Sequence, residues 1–132
     1  MKLVMCAMSV GASVVLGLAA GDAAAQHWVS LLKNTPAEHF DDEDLHLFME
    51  AGRRALNETP VKGSVSWSNP KSGNRGELTV VSEFTWESHP CRRLKVVNEA
   101  QGKKGSSTPS LCRVDDKWRA VTPSQLSKGV LP

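Results

Sequence analysis

The stretch CRRLKVVNEAQGKKGSSTPSLC, residues 91–112, contains the two cysteines and the turn that together decide the fold. Residues facing each other across an antiparallel hairpin have numbers with a constant sum, and for Cys91 and Cys112 that sum is 203. This sum centres the hairpin between Gln101 and Gly102, at the edge of a turn rich in glycine and lysine. Directly opposed residues have Cα atoms roughly 4.5–5.5 Å apart, within reach of a disulfide. The sequence therefore predicts a disulfide between Cys91 and Cys112.

The N-terminal segment explains why an oxidised cysteine pair is expected. The residues after Lys2 are apolar and small, and the segment closes in GDAAA, residues 21–25, which is typical of a secretory signal peptide with an A-x-A cleavage site. Cleavage after Ala25 would remove Cys6 and leave 107 residues with an even pair of cysteines. We therefore predict a signal peptide over residues 1–25 and one domain over 26–132, periplasmic or secreted, with no membrane span after cleavage.

A helix is predicted to precede the sheet. The run TPAE, residues 35–38, has the form of a capping box with proline at the first helical position, and the acidic residues 41–44 repeat the start signal. The run NETP, residues 57–60, ends the helix. Between these signals, apolar positions follow the three-and-four spacing of one buried face: Leu45, Phe48, Met49, Gly52 and Leu56.

The period of the apolar residues changes to two from Val61 onward, which indicates β-strands. We predict an α+β fold in which one amphipathic N-terminal helix packs on a roughly five-stranded antiparallel β-meander. The polar C-terminal tail, residues 122–132, is predicted to fray. The predicted strands cover residues 61–68, 77–86, 91–98, 106–114 and 118–121.

The formal net charge of +2 hides a strong asymmetry along the chain. Residues 26–60 carry seven acids and three bases, whereas residues 91–132 carry nine bases and three acids. Six of these bases form a basic hairpin, which is a candidate surface for an anionic lipid or glycan. The competing interpretation is a solvated edge, because lysines on edge strands prevent strand aggregation. The six bases are Arg92, Arg93, Lys95, Lys103, Lys104 and Arg113.

Catalytic and metal sites are not predicted. His39 and His46 lie seven residues apart among acids that suit a helix start, so we expect caps there and no metal site. His89 lies two residues from Cys91, but a sulfur held in a disulfide is not a nucleophile. We predict no enzymatic activity, no cofactor and no nucleic-acid partner; the partner expected is an envelope protein, lipid or glycan.

Four short motifs occur in a characteristic order: WSNPKSGNRG at residues 67–76, CRR at 91–93, LCR at 111–113 and KWR at 117–119. This set resembles the C-terminal globular domain of the rickettsial-type 17 kDa surface antigen family over residues 45–121, without the glycine-zipper segment or the lipobox of many members. The resemblance implies an exported cell-envelope protein with a structural or interaction role, associated in some members with the outer membrane, and supplies no catalytic residues. The alternative is a periplasmic binding or inhibitor module that engages an anionic ligand or an enzyme through the basic hairpin.

Overall fold

The computed structural model describes residues 32–128, so the predicted signal peptide and residues 129–132 lie outside the described part of the chain. No helix within the described range is long and apolar enough to cross a membrane. The elements are a 3₁₀ turn at Pro36–His39, helix α1 at Asp42–Asn57, strands β1 at Ser64–Ser68, β2 at Arg75–Trp86, β3 at His89–Ala100, β4 at Lys103–Ser107, β5 at Ser110–Val114 and β6 at Lys117–Val121, and helix α2 at Pro123–Lys128.

The two predicted helix starts belong to two different elements. Thr35 caps the 3₁₀ turn, whereas Asp41 caps α1 and forms a capping box with Asp44. The extended backbone of Phe40 separates the two elements. At the other end of α1, the Thr59 hydroxyl donates to the carbonyl of Arg54 at 3.0 Å, just before Pro60. The predicted end of the helix is therefore confirmed.

All strand pairs are antiparallel, in the order β1-β2-β3-β5-β6, with β4 also pairing to β3. The α+β class is confirmed, and the described range contains six strands where roughly five are predicted. The predicted strand over residues 106–114 is interrupted at Thr108 and Pro109. Proline has no N–H to donate to the sheet, so β4 and β5 pair separately with the two halves of β3.

The predicted hairpin register is confirmed in both parts of β3, residues 96–100 against β4 and residues 91–93 against β5. Val96 opposes Ser107, Ala100 opposes Lys103 and Cys91 opposes Cys112, all with the sum derived above. Gln101 and Gly102 form the turn with φ of 53° and 74°, the conformation that two-residue hairpin turns require. The predicted disulfide is present, with an S–S distance of 2.08 Å.

Buried side chains form two clusters. The larger cluster joins α1 to the sheet and includes Phe48, Trp67, Leu78 and Leu94. The smaller cluster contains the disulfide and Val121, with Leu126 of α2 packed against it. The tail predicted to fray thus begins with a short helix over Pro123–Lys128, and one apolar side chain of that helix contacts the core.

Candidate functional site

A buried carboxylate lies where the N-terminus of α1 meets the turn between β1 and β2. Asp44 is 0% exposed. Its Oδ1 accepts hydrogen bonds from Asn69 Nδ2 at 2.8 Å and from Ser72 Oγ at 2.6 Å. Its Oδ2 accepts from Asn74 Nδ2 at 2.7 Å and from the Asp41 backbone N–H at 3.0 Å. We call Asp44, Asn69, Ser72 and Asn74 the Asp44 cluster.

The turn that carries three of these residues is folded by its own hydrogen bonds. Asn69 N–H donates to the Asn74 carbonyl at 2.9 Å, and Gly73 N–H donates to the Asn69 carbonyl at 2.8 Å. Gly73 has φ of 76°, which glycine adopts without strain. The side-chain oxygen of Asn74 also accepts from the N–H of Gln101 at 3.3 Å, so the turn also contacts the β3–β4 turn.

Trp67 and Gly76, at the two ends of the WSNPKSGNRG motif, both lie against Asn98 of β3. Trp67 donates from Nε1 to Asn98 Oδ1 at 3.3 Å and contacts Phe40 edge-to-face, with ring centroids 4.9 Å apart. A Cβ atom on Gly76 would lie 2.1 Å from Asn98 Oδ1 and 2.9 Å from the Val97 carbonyl oxygen, so only glycine fits. Packing thus explains why tryptophan and glycine occupy the two ends of the motif.

The electrostatics of the Asp44 cluster favour a fixed anion. Burial raises the pKa of the Asp44 carboxyl, but the hydrogen bonds from Ser72, Asn74, the Asp41 backbone and Asn69 outweigh burial, and the pKa lies below its ordinary value. A general acid or base needs access to a proton on a substrate, whereas both oxygens of Asp44 are already occupied inside the protein. The arrangement is suited to holding the turn on the helix.

Arg92, one of the predicted anion-binding residues, is used inside the protein. Its guanidinium donates to the carbonyl of Ala55, in the last turn of α1, at 2.8 Å, and to the carbonyl of Thr59, just beyond the end of α1, and forms an ion pair with Glu83. The Arg92 side chain is only 15% exposed. Arg92 thus fastens the C-terminal end of α1 to β3 and is not free to bind a ligand.

The other predicted basic residues do not form one continuous surface. Arg92 pairs with the buried Leu111, so it lies on the face of the sheet that meets α1, whereas the exposed Arg93 and Lys95 alternate onto the opposite face. Arg113 forms an ion pair with Asp116 at 3.4 Å. Lys103 and Lys104 are exposed and also alternate between the faces. Within residues 32–128, no ion pair engages Arg93, Lys95, Lys103 or Lys104.

The residues considered for catalysis or metal binding are not brought together. Cys91 is 2% exposed and bonded to Cys112, so it has no thiolate. His39, His46, Asp42 and Glu43 are all exposed. The described part of the chain contains no group of three or more His, Cys, Asp and Glu side chains that could hold a metal ion.

Two features of the structure were not predicted. Asp44 belongs to the acidic run that signals a helix start in the sequence, but its bonds to residues 25 to 30 positions away depend on tertiary packing. A shallow groove of about 390 Å³ lies on the face of the sheet away from α1 and includes the ion pair of Arg75 and Glu99, 3.1 Å apart. Its lining also includes Ser66, Ser68, Glu77, Val97 and Lys104.

Comparison with known proteins matches residues 54–119 to the family described as 17 kDa outer membrane surface antigen. The chain is 30% identical over 83 residues to a 17 kDa surface antigen of Rickettsia bellii (strain RML369-C), and 31% identical over 83 residues to one of Rickettsia felis (strain ATCC VR-1525 / URRWXCal2). Each alignment covers 61% of this chain and 52% of the relative, so the chain spans about half the length of these curated relatives. No solved structure matches. The turn residues Asn69, Ser72 and Asn74 lie inside the matched range, whereas Asp44 precedes it.

Proposed function

The chain belongs to the 17 kDa outer membrane surface antigen family, and we propose that it is an exported cell-envelope protein with a structural or interaction role and without catalysis. The observation that carries this proposal is the Cys91–Cys112 disulfide within a domain of that family, because disulfides persist in oxidising compartments outside the cytoplasm. The name of the Rickettsia relatives supports a location at the cell surface, and the description of the family supports an association with the outer membrane.

The chemistry of the described residues supports a role without catalysis. The cysteine that could act as a nucleophile is oxidised, and the fully buried carboxylate of Asp44 is occupied by four donors from the protein itself. Arg92 is likewise occupied by backbone carbonyls and Glu83. We assign each of these groups a role in stabilising the fold. An interaction with a partner would therefore use the exposed surface.

The test is the intact mass of the protein purified from the cell envelope, before and after reduction and alkylation. We expect a chain that begins at Gln26 and is lighter by two hydrogen atoms than its dithiol form. As a matched control, a chain that starts at Gln26 and is produced in a reducing cytoplasm should contain two free thiols. An uncleaved chain found in the cytoplasm, or two free thiols in the exported protein, would contradict the proposal.

A second candidate function is the binding of an anionic envelope ligand. It is favoured by Arg93 and Lys95, which are exposed, unpaired within residues 32–128 and two positions apart on one face of β3. The test is co-sedimentation with phosphatidylglycerol vesicles, using phosphatidylcholine vesicles as the control. Binding that falls with salt and in the R93E/K95E variant would support this function, and equal recovery on both vesicles would refute it.

A further inference from the structure

The sheet has one strand edge that residues 32–128 leave open. Strand β1 is the end strand of the sheet and pairs only with β2. Its sequence SVSWS contains no charge and no proline, and its three serines are exposed. Natural proteins usually protect such edges with charged residues, prolines, bulges or a covering segment. The open edge of β1 therefore calls for an explanation.

The other edges of the sheet are protected. The outer strand β6 carries Lys117 and Arg119. Strand β4 carries Lys103 and Lys104, and the 3₁₀ turn lies against it, since a Cβ atom on Gly105 would be 2.6 Å from Pro36 Cδ. Only β1, among the strands of the described range that end the sheet, has neither a charge nor a covering segment.

The hydrogen-bond register shows which backbone groups of β1 point outward. Asn69 N–H donates to the Asn74 carbonyl at 2.9 Å, and Val80 N–H donates to the Gly63 carbonyl at 2.9 Å. Both contacts follow the register in which Ser66 opposes Glu77. Hydrogen-bonded and non-hydrogen-bonded pairs alternate along an antiparallel ladder. Ser64, Ser66 and Ser68 consequently direct their backbone N–H and C=O groups away from β2. No described residue forms a hydrogen bond with these backbone groups.

The side chains of β1 have the same pattern in both directions. Serine occupies both ends and the centre, on the face of the sheet away from α1, and the apolar Val65 and Trp67 lie between them on the α1 face. In an antiparallel pairing of two such strands about Ser66, serine opposes serine and the apolar Val65 opposes the apolar Trp67 of the second copy, so no charge or proline enters the pairing. A foreign strand would have to supply this complementarity from its own sequence, whereas a second copy has it already.

We propose that β1 pairs antiparallel with β1 of a second copy of this chain, about a two-fold axis at Ser66. Ser66 then opposes Ser66 of the second copy, and Ser64 opposes Ser68, with each pair exchanging two N–H···O bonds. The sheet continues through the axis into the second copy. Because a five-residue strand contributes less area than a standard interface, the dimer should be weak and dependent on concentration. This self-association goes beyond the proposed function and does not rest on it.

Charge variants at the axis test the proposal. Sedimentation velocity of the oxidised, purified chain over rising concentration should show a monomer–dimer equilibrium. S66K places like charges directly opposite each other, so we expect the dissociation constant to rise by about fivefold or more. S66E should behave in the same way, and an equimolar mixture of S66K and S66E should restore dimers. S106K adds a lysine to exposed β4 and should leave the equilibrium unchanged.

Cysteine variants test the register. Ser66→Cys should form an intermolecular disulfide on mild oxidation, because a hydrogen-bonded pair has Cα atoms about 5.5 Å apart. Ser64→Cys alone should not, whereas a mixture of Ser64→Cys and Ser68→Cys chains should. Thermal melting of each variant establishes that it is folded. A folded wild-type chain that stays monomeric at every concentration, or a mixture of charge variants that fails to recover dimers, would overturn the proposal.

Discussion

The two ends of α1 are held to the sheet by opposite charges in different surroundings. At the N-terminal end, the Asp44 carboxylate is fully buried and receives hydrogen bonds from three neutral side chains and one backbone N–H. At the C-terminal end, the Arg92 guanidinium is partly exposed and donates to two backbone carbonyls and to Glu83. Both charges have the sign that stabilises the helix dipole at their end.

The difference teaches which end depends on its charge. When a partly exposed cation such as Arg92 is removed, water can reach the carbonyl groups that it leaves and can form hydrogen bonds with them. A fully buried anion leaves behind donors that water reaches poorly, and each unsatisfied buried donor costs about 1–3 kcal/mol. The N-terminal end should consequently be the more sensitive of the two.

The largest expected effect is that of Asp44→Ala. It leaves the buried amides of Asn69 and Asn74 without acceptors, so we expect a loss of ~4 kcal/mol in the free energy of unfolding. Urea denaturation followed by tryptophan fluorescence measures this loss. Asp42→Ala is the matched control, since this exposed residue in the same helical turn should change stability by less than about 0.5 kcal/mol. Equal losses in the two variants would show that the helix start, and not the buried cluster, is what matters.

Next in size is the removal of the disulfide beside Arg92. Replacing Cys91 and Cys112 by serine releases the end of β3 that carries Arg92, and we expect a loss of ~3 kcal/mol. Thermal melting of the double variant, compared with the wild type under oxidising conditions, measures the effect. An unchanged melting temperature would mean that the contacts between β3 and the C-terminal end of α1 keep β3 in place without the disulfide.

A smaller effect is expected for Arg92→Met, which keeps most of the apolar stem but removes the donors to Ala55 and Thr59. Hydrogen bonds to charged groups contribute about 1.5–3 kcal/mol, so we expect a loss of ~2 kcal/mol by urea denaturation. Arg93→Met is the matched control, because that neighbouring side chain is exposed on the other face of β3. A loss in Arg92→Met no larger than in the control would assign Arg92 to the surface and reopen its predicted role in anion binding.

Local patterns in the sequence predict those features of the two ends of α1 and of β3 that depend on residues near each other in the chain. The cap at Asp41, the end of the helix before Pro60 and the hairpin register that pairs Cys91 with Cys112 all follow from short-range rules. The alternating pattern predicts one strand over residues 106–114, whereas Pro109 lies at a break between two strands.

The long-range bonds of the candidate site could not be derived in this way. The sequence predicts Arg92 as a possible anion-binding residue, because no local pattern shows that a carbonyl 37 positions earlier will accept a hydrogen bond from its guanidinium. Asp44 was likewise recognised only as one of several acids at a helix start. The roles of Arg92 and Asp44 both follow from their burial, and their burial depends on how α1 packs on the sheet.

The last prediction, with the smallest expected effect, uses pH to isolate the charge at the N-terminal end. Since hydrogen bonds hold the pKa of the Asp44 carboxyl below its ordinary value of 3.8, the unfolded chain takes up the proton first as pH falls. The stability that Asp44 contributes is therefore complete at neutral pH and is lost as pH falls below about 4, by at most ~1.4 kcal/mol per pH unit for one group. Asp44→Asn has no such titration, and its amide places donors against the donors of Asn69 and Asn74. The difference in unfolding free energy between wild type and Asp44→Asn, measured in urea from neutral to acid pH, should be largest at neutral pH and shrink in acid. A constant difference would mean that shape, and not charge, fixes this end of the helix.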